Sequence, residues 1–156
     1  AVRPYEERDA AATLEVFTSA VTVTAATDYT PEQIEAWARP GQRDLASWHA
    51  AMQRRESIVA TTGDTVVGFS DVSADGYIDM LFVAPEAQRL GIARRLLAEI
   101  EDRARSSTTP ALSAHVSLTA RPFFEAHGFR VVAKRHPSIH GVHLTNFLME
   151  KALTGR

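Results

Sequence analysis

The stretch Gln88-Arg89-Leu90-Gly91-Ile92-Ala93 carries the clearest chemistry in this sequence. It lies between an apolar run, Ile78 to Val83, closed by Pro85, and a helix-forming run from about Gly91 to about Arg105. Strand, tight loop and helix N-terminus is the arrangement that aims backbone N–H groups at a phosphate. The helix follows from Ile92, Leu96, Leu97, Ile100 and Ala104, which share one face at a period of about 3.6. On the other face Arg95 with Glu99, Glu99 with Arg103, and Glu101 with Arg105 stand at i,i+4 spacing. The first turn carries Arg94 and Arg95 and no acid. A helix N-terminus holds roughly half a positive charge and favours a nearby acid by about 0.3–1 kcal/mol. Two arginines there point to an anion that supplies the missing negative charge.

The spacing excludes two familiar phosphate loops. There is no G-x-x-x-x-G-K-[ST] and no G-x-G-x-x-G after a strand. What stands here resembles the Q/R-x-x-G-x-G/A motif of the GNAT superfamily, the GCN5-related N-acetyltransferases. The preceding apolar strand, the Pro85-Glu86 after it and the Arg94-Arg95-Leu96-Leu97 helix start match as well. Ala120-Arg-Pro-Phe-Phe-Glu-Ala-His-Gly-Phe129 looks like the family's second signature, A-x-x-F-Y-E-x-x-G-F. Gly141 to Met149 is similar to a small, mostly uncharacterised bacterial subgroup.

The resemblance implies acetyl-coenzyme A as acyl donor, with direct transfer to an amine in a ternary complex. The loop Gln88, Arg89, Leu90, Gly91, Ile92, Ala93 and Arg94 would hold the pyrophosphate. The backbone of Leu81, Phe82 and Val83 would pair with the pantetheine arm, beside Ser117 and Phe124. The parallel strands Ile78–Val83 and Ala111–Val116 are expected to splay apart. An N–H near Phe82 or Val83 would polarise the thioester carbonyl.

Transfer also needs a base and a proton for the departing thiolate. Asp79 lies on the strand and shares a face with Leu81 and Val83, so it is expected to point into a half-buried place; a carboxylate there needs a reason. Some family members use a Glu at this position as base, which the resemblance carries over to Asp79. The alternative is that Asp79 faces solvent or pairs with an arginine. The family's usual acid is the Tyr of F-Y-E, and here that place is Phe124, which has no proton to give. Tyr29, Tyr77, His115 and Ser117 are the other candidate donors. Tyr29, Trp37 and Asn146 are candidates to line a substrate pocket, with core packing expected for at least one of Trp37 and Trp48. A second reading keeps the fold and the acyl-CoA site but makes the protein a non-catalytic acyl-CoA-binding or regulatory module.

These residues need a scaffold. Val2 to Tyr5 is a candidate first strand and Glu7 to about Thr22 a helix; Thr22 to Asp28 gives no clear signal. Thr30-Pro31-Glu32 is a helix start, Thr as cap and Pro at the first helical position, and that helix ends before Pro40-Gly41. Asp44 to Arg54 has Leu45, Trp48 and Met52 at helical spacing. Ser57 to Thr61, Thr65 to Val72 with a possible bulge at Gly68, and the strand ending at Val83 form a meander. Ala111 to Val116 follows the central helix and must run parallel to the strand before it, by a right-handed crossover. Thr119 is the expected cap of a helix through Pro122 that closes at Gly128. Phe129 to Lys134 and His143 to Lys151 pair last, joined through Pro137 to Gly141. The expected fold is α+β in three αβα layers, with a mixed, mostly antiparallel sheet containing one parallel splayed pair.

Bulk properties agree. The chain of 156 residues is 45% hydrophobic, enough for one domain with a real core, so a single domain is expected over residues 1–156. Its net charge of −2 gives no electrostatic footprint for nucleic acid. No cysteine is present, which excludes disulfides, thiolate zinc sites and a Cys nucleophile. His136, His140 and His143 are interrupted by Pro137 and Gly141, so no metal is expected. No apolar run approaches the roughly 20 residues of a bilayer span. The expectation is a cytoplasmic protein with a small-molecule or protein amine as acceptor, no membrane partner, and possible homodimerisation.

Overall fold

The computed structural model describes residues 1–153. Strand β1 (Val2–Pro4) is followed by a helical run from Glu7 to Thr27. Its middle is helix α1 (Ala10–Ser19), entered through a 3₁₀ turn and left through a π-helical segment, Ala20–Thr24, and a second 3₁₀ turn, Ala25–Thr27. The segment without a clear sequence signal is therefore helical, widened as far as Thr24 and tightened after it. By length and hydropathy (21 residues, 1.2) the run passes for a membrane span, contrary to the reading that none approaches that length. Within the fold Val16, Phe17 and Val21 are buried, and Asp9 is clamped by Arg3 through two bonds of 2.8 and 2.9 Å.

Helix α2 (Pro31–Ala38) begins with a complete capping box: Thr30 Oγ1 accepts from the Gln33 amide, and the Gln33 side chain accepts from the Thr30 amide. Helix α3 (Leu45–Arg54) is capped by Asp44, which accepts from the Ser47 amide at 2.9 Å. Strands β2 (Ile58–Thr62) and β3 (Thr65–Ser70) form an antiparallel pair whose register shifts after Ala60. The extra residue is Val67, next to Gly68. Gly68 is needed for closeness: a Cβ there would stand 3.0 Å from the Phe82 carbonyl oxygen and 3.1 and 3.2 Å from Ile92 and Leu96.

The strand expected over Ile78–Val83 is two strands. Strand β4 (Tyr77–Ile78) pairs in parallel with β6 (Ala111–Ser117), while β5 (Leu81–Val83) pairs antiparallel with β3. The sheet thus separates into two halves, ordered β1-β2-β3-β5 and β4-β6-β10-β7, where β7 is Arg130–Arg135 and β10 is Asn146–Ala152. The connection between β7 and β10 holds a small hairpin, β8 (Ser138–Ile139) with β9 (Val142–His143), so the last strand begins at Asn146, later than expected.

Helix α4 (Ile92–Ser106) packs across β1, β2, β3, β5 and β6. Its buried residues are the expected Ile92, Leu96, Leu97, Ile100 and Ala104. Of the three i,i+4 pairs only Glu101–Arg105 closes, at 3.5 Å, and Glu101 also binds Lys151 at 2.7 Å. Arg103 instead donates to the Glu56 carbonyl. On the opposite side α1 packs on β3 and β5, with α3 behind it. Helix α5 (Arg121–Ala126) lies against β6. Thr119 does not cap it, since its hydroxyl donates to Asp28; the Ser117 hydroxyl takes the Ala120 amide at 3.0 Å instead. The result is the expected three-layer α+β fold.

Candidate active site

At the start of α4 the chain turns through two left-handed residues, Arg89 (φ 68°) and Gly91 (φ 79°). The first helical hydrogen bond runs from the Arg95 amide to the Gly91 carbonyl at 3.1 Å. Among the described residues, the amides of Arg89 to Arg94 donate to no protein acceptor. A non-glycine residue in the left-handed region and a row of unpaired N–H groups together form a concave anion cradle. Arg89, Arg94 and Arg95 are exposed and make no ion pair among the described residues. Leu90 is 62% exposed, whereas the Ile92 side chain is buried in the core, so only its amide is available at the loop. The Gln88 side chain turns back and donates to the Val83 carbonyl at 3.1 Å. It braces the strand end and is not aimed at the cradle.

Between the diverging halves lies a groove of about 210 Å³, lined by Leu81, Phe82, Val83, Gln88 and Ala93 on one side and by His115, Val116, Ser117 and Phe124 on the other. The widened end of the first helical run contributes Ala20, Thr24 and Ala25. π-helical segments are rare and collect at functional sites. Phe124 is buried, edge-on to Phe129 and Phe123 at 4.9 and 5.6 Å, and offers the groove a purely apolar wall.

A second cavity, of about 220 Å³, adjoins the groove. Trp37, Asp79, Phe82, His115 and Ser117 line both. Tyr29, Arg43 and Asn146 line only the second. Tyr29 supplies its ring alone: its hydroxyl donates to the Thr145 carbonyl at 2.6 Å and accepts from the Leu118 amide at 2.9 Å. Trp37 stacks between Tyr29 and Phe82, at 5.4 and 6.3 Å. Trp48 is core, donating to Thr13 at 3.0 Å. Asn146 accepts from Arg135 through Oδ1 at 3.0 Å.

Asp79 falls in the break between β4 and β5. It lines the groove together with Leu81, Phe82 and Val83, and the second cavity together with Phe82. Its carboxylate is 43% exposed and lies 3.4 Å from Arg55. The carboxylate is half-exposed at the junction of the cavities, and the arginine pairing held as the alternative forms as well. The buried carboxylate is Asp71, which the sequence reading passed over. Asp71 is 2% exposed, accepts the Asp79 amide at 2.8 Å and lies 3.3 Å from Arg55 Nε. That last contact is Coulombic only, because neither Arg55 Nε nor Asp71 Oδ2 finds a hydrogen-bond partner. Burial pushes Asp71 up to about 6, against the opposing pull of the Asp79 amide and Arg55.

His115, two residues beyond the register partner of Tyr77 on β6, holds Nδ1 3.1 Å from the Tyr77 hydroxyl. Desolvation, then Arg135, lowers the His115 pKa, and Asp79 opposes the shift. The ring is therefore neutral at pH 7. Burial raises the Tyr77 pKa, which keeps its hydroxyl protonated. Asp79, His115 and Ser117 thus meet at the junction of the two cavities.

This geometry agrees with what the chain resembles. Residues 25–153 match the acetyltransferase (GNAT) domain family. The chain is 36% identical over 148 residues to the uncharacterized N-acetyltransferase YafP of Escherichia coli K12, covering 95% of this chain and 93% of that one. A GCN5-related N-acetyltransferase from Rhodopseudomonas palustris superposes with a TM-score of 0.93 at 32% identity, over 98% of this chain and 95% of that one. The PaiA N-acetyltransferase of Thermoplasma acidophilum, solved with coenzyme A, shares the fold at a TM-score of 0.77 and 21% identity, over 97% and 98% of the two chains. The chain belongs to the GNAT superfamily and is an N-acetyltransferase.

Proposed function

We propose that the protein moves an acetyl group from acetyl-CoA to the amine of a small molecule, which enters from the second cavity. The observation that carries this reading is the continuity of the unpaired amides at Arg89 to Arg94, the groove between the sheet halves, and the second cavity. A pyrophosphate fits the cradle, because its oxygens satisfy the free amides and its charge offsets the helix dipole and the arginines. A thin pantetheine arm fits the groove, where β5 has no strand partner on the side facing β6. Bound there, acetyl-CoA supplies an activated thioester carbonyl.

The amine nitrogen attacks that carbonyl carbon, the C–N bond forms and the C–S bond breaks. One proton must leave the nitrogen and one must reach the sulfur. Neutral His115 takes the first, with the Tyr77 hydroxyl fixing its ring, and as imidazolium returns a proton to the thiolate. Asp79 attracts the incoming ammonium with its charge and orients it beside His115, where it first loses one proton to solvent; the neutral amine so formed is the nucleophile, and the proton that His115 relays to sulfur is the one released as the C–N bond forms. Ser117 Oγ already accepts from the Ala120 amide, so it holds the start of α5 and keeps its own proton for the groove. Phe124 takes no part in proton transfer. A thiol leaves with a pKa near about 8.5, which makes a dedicated tyrosine acid dispensable.

Release of free thiol from acetyl-CoA over a panel of amines tests this reading. Amine-dependent release is the expected result; tight acetyl-CoA binding with no release on any amine would refute it.

A further inference from the structure

The second cavity has opposite charges at its two ends. Its lining holds one acid, Asp79, and one permanent cation, Arg43. Asp79 also borders the groove, whereas Arg43 does not. The acid therefore marks the reacting end and the arginine the far end. Between them runs an aromatic floor: the Arg43 guanidinium lies 4.6 Å over the Phe17 ring, Phe17 meets Phe82 edge-on at 5.1 Å, and Phe82 meets Trp37.

Arg43 is unusual for a partly buried cation. No carboxylate pairs with it among the described residues, and desolvation, with a smaller push from Arg39, lowers its pKa. Helix capping accounts for part of it: Nε donates to the Ala38 carbonyl at 3.0 Å and Nη2 to the Trp37 carbonyl at 2.8 Å, closing the end of α2. Nη1 has no partner among the described residues. A desolvated charge without a counter-charge is costly unless a ligand supplies one. Asn146 adds a second donor. Arg135 occupies its Oδ1, which assigns the amide so that Nδ2 is left over, and Asn146 lines the same cavity.

We infer that the acceptor is a small zwitterion: an amine that also carries an anionic group, a carboxylate or its phosphonate equivalent. Its nitrogen sits at Asp79 and its anion at Arg43. The inference rests on the acetyl-transfer reading and names the substrate class of that site. A volume of about 220 Å³ accommodates a group near the size of an amino acid. The rings of Trp37, Phe82 and Tyr29 favour an apolar or aromatic body between the two polar ends. Guanidinium and carboxylate are matched in geometry, and an arginine at such a place selects for the anion.

The test compares matched acceptors in the presence of acetyl-CoA, reading thiol release. Each set holds an amino acid, its C-terminal amide, its decarboxylated amine and its aminophosphonate, with phenylalanine, leucine and methionine as the side chains. The expected result is a kcat/KM at least tenfold higher for the acid or the phosphonate than for the amide and the simple amine, and the better of the two anions identifies the group. Arg43→Gln keeps a donor at the Nε position for the Ala38 carbonyl and removes the charge; it should collapse that ratio to below threefold, with acetyl-CoA affinity retained. Should Arg43→Gln fail to fold, the wild-type ratio alone decides. Amides or simple amines turned over as well as the acids would overturn the zwitterion and leave acetyl transfer standing. No turnover of any amine, with acetyl-CoA still bound, would overturn both.

Discussion

The Asp71 carboxylate accepts the Asp79 amide at 2.8 Å from inside the protein, taking the place of the strand partner that Asp79 lacks at the break between β4 and β5. Arg55 lies between them, 3.3 Å from Asp71 and 3.4 Å from Asp79. The end of β3 thereby holds the point at which the sheet opens. One buried and one half-exposed carboxylate share one arginine, and only the exposed one reaches the junction of the cavities.

The buried carboxylate makes stability depend on pH in a defined direction. Folding raises Asp71 from an ordinary 3.8 to about 6. Between those values the folded chain binds more protons than the unfolded chain, so this group's contribution to stability falls as pH rises. The cost is fully present above about pH 6, where it amounts to about 3 kcal/mol, and is gone below about pH 4. Asp71→Asn keeps an acceptor for the Asp79 amide and removes the titration. Denaturant unfolding at pH 5 and pH 7.5 should show the wild type gaining about 1–2 kcal/mol on acidification relative to the variant. Parallel curves for the two proteins would show that Asp71 stays ionised throughout.

The cradle depends on the backbone at Gly91, where φ is 79°. An L side chain in this region costs about 1–2 kcal/mol. Gly91→Ala should weaken acetyl-CoA binding about tenfold by calorimetry, and Gly91→Asp should abolish it, since a carboxylate would face the same amides as the phosphate. Both variants should still fold, because no protein atom other than the Arg94 guanidinium lies near the added Cβ.

His115 should set the acidic limb of the rate profile. Its pKa lies below the ordinary 6.5, so the neutral, proton-accepting ring persists as pH falls to that value. The rate should decline only below pH 6.5. His115→Gln should lower kcat about a hundredfold and remove that limb, while acetyl-CoA affinity stays the same. Tyr77→Phe should have a smaller effect in the same direction.

Which parts of this site the sequence disclosed follows from how local they are. The loop from Gln88 to Arg94 and the helix after it were legible because turn chemistry, period and charge lie within one stretch of chain. The unpaired role of Phe124 could be read from a single position. Asp79 was expected on a continuous strand, and the break in which it falls is caused by non-local partners, β3 on one side and β6 on the other. Asp71 was invisible for the same reason: it is an ordinary residue after β3 until the fold brings the amide of Asp79 to it. Arg43 sits in an irregular connection with no periodic signal, and its meaning comes from Phe17 beneath it. The run from Thr22 to Asp28 gave no signal because its Thr and Ala residues suit several backbones, and packing selects the widened helix.

Asp79 is assigned to binding the acceptor's ammonium, and a half-exposed charge contributes modestly. Asp79→Asn should raise the acceptor KM about threefold to tenfold, in keeping with an exposed charge contact of roughly 1 kcal/mol. Acetyl-CoA affinity should not change. A fall in kcat with the acceptor KM unmoved would instead make Asp79 a proton acceptor.

The most direct measurement is thiol release by the intact protein with saturating acetyl-CoA, across amines with and without an anionic group, alongside calorimetric titration of acetyl-CoA alone. Binding of acetyl-CoA with release that depends on an added amine is the predicted result. Binding with no release on any amine would contradict acetyl transfer at the junction of Asp79, His115 and Ser117.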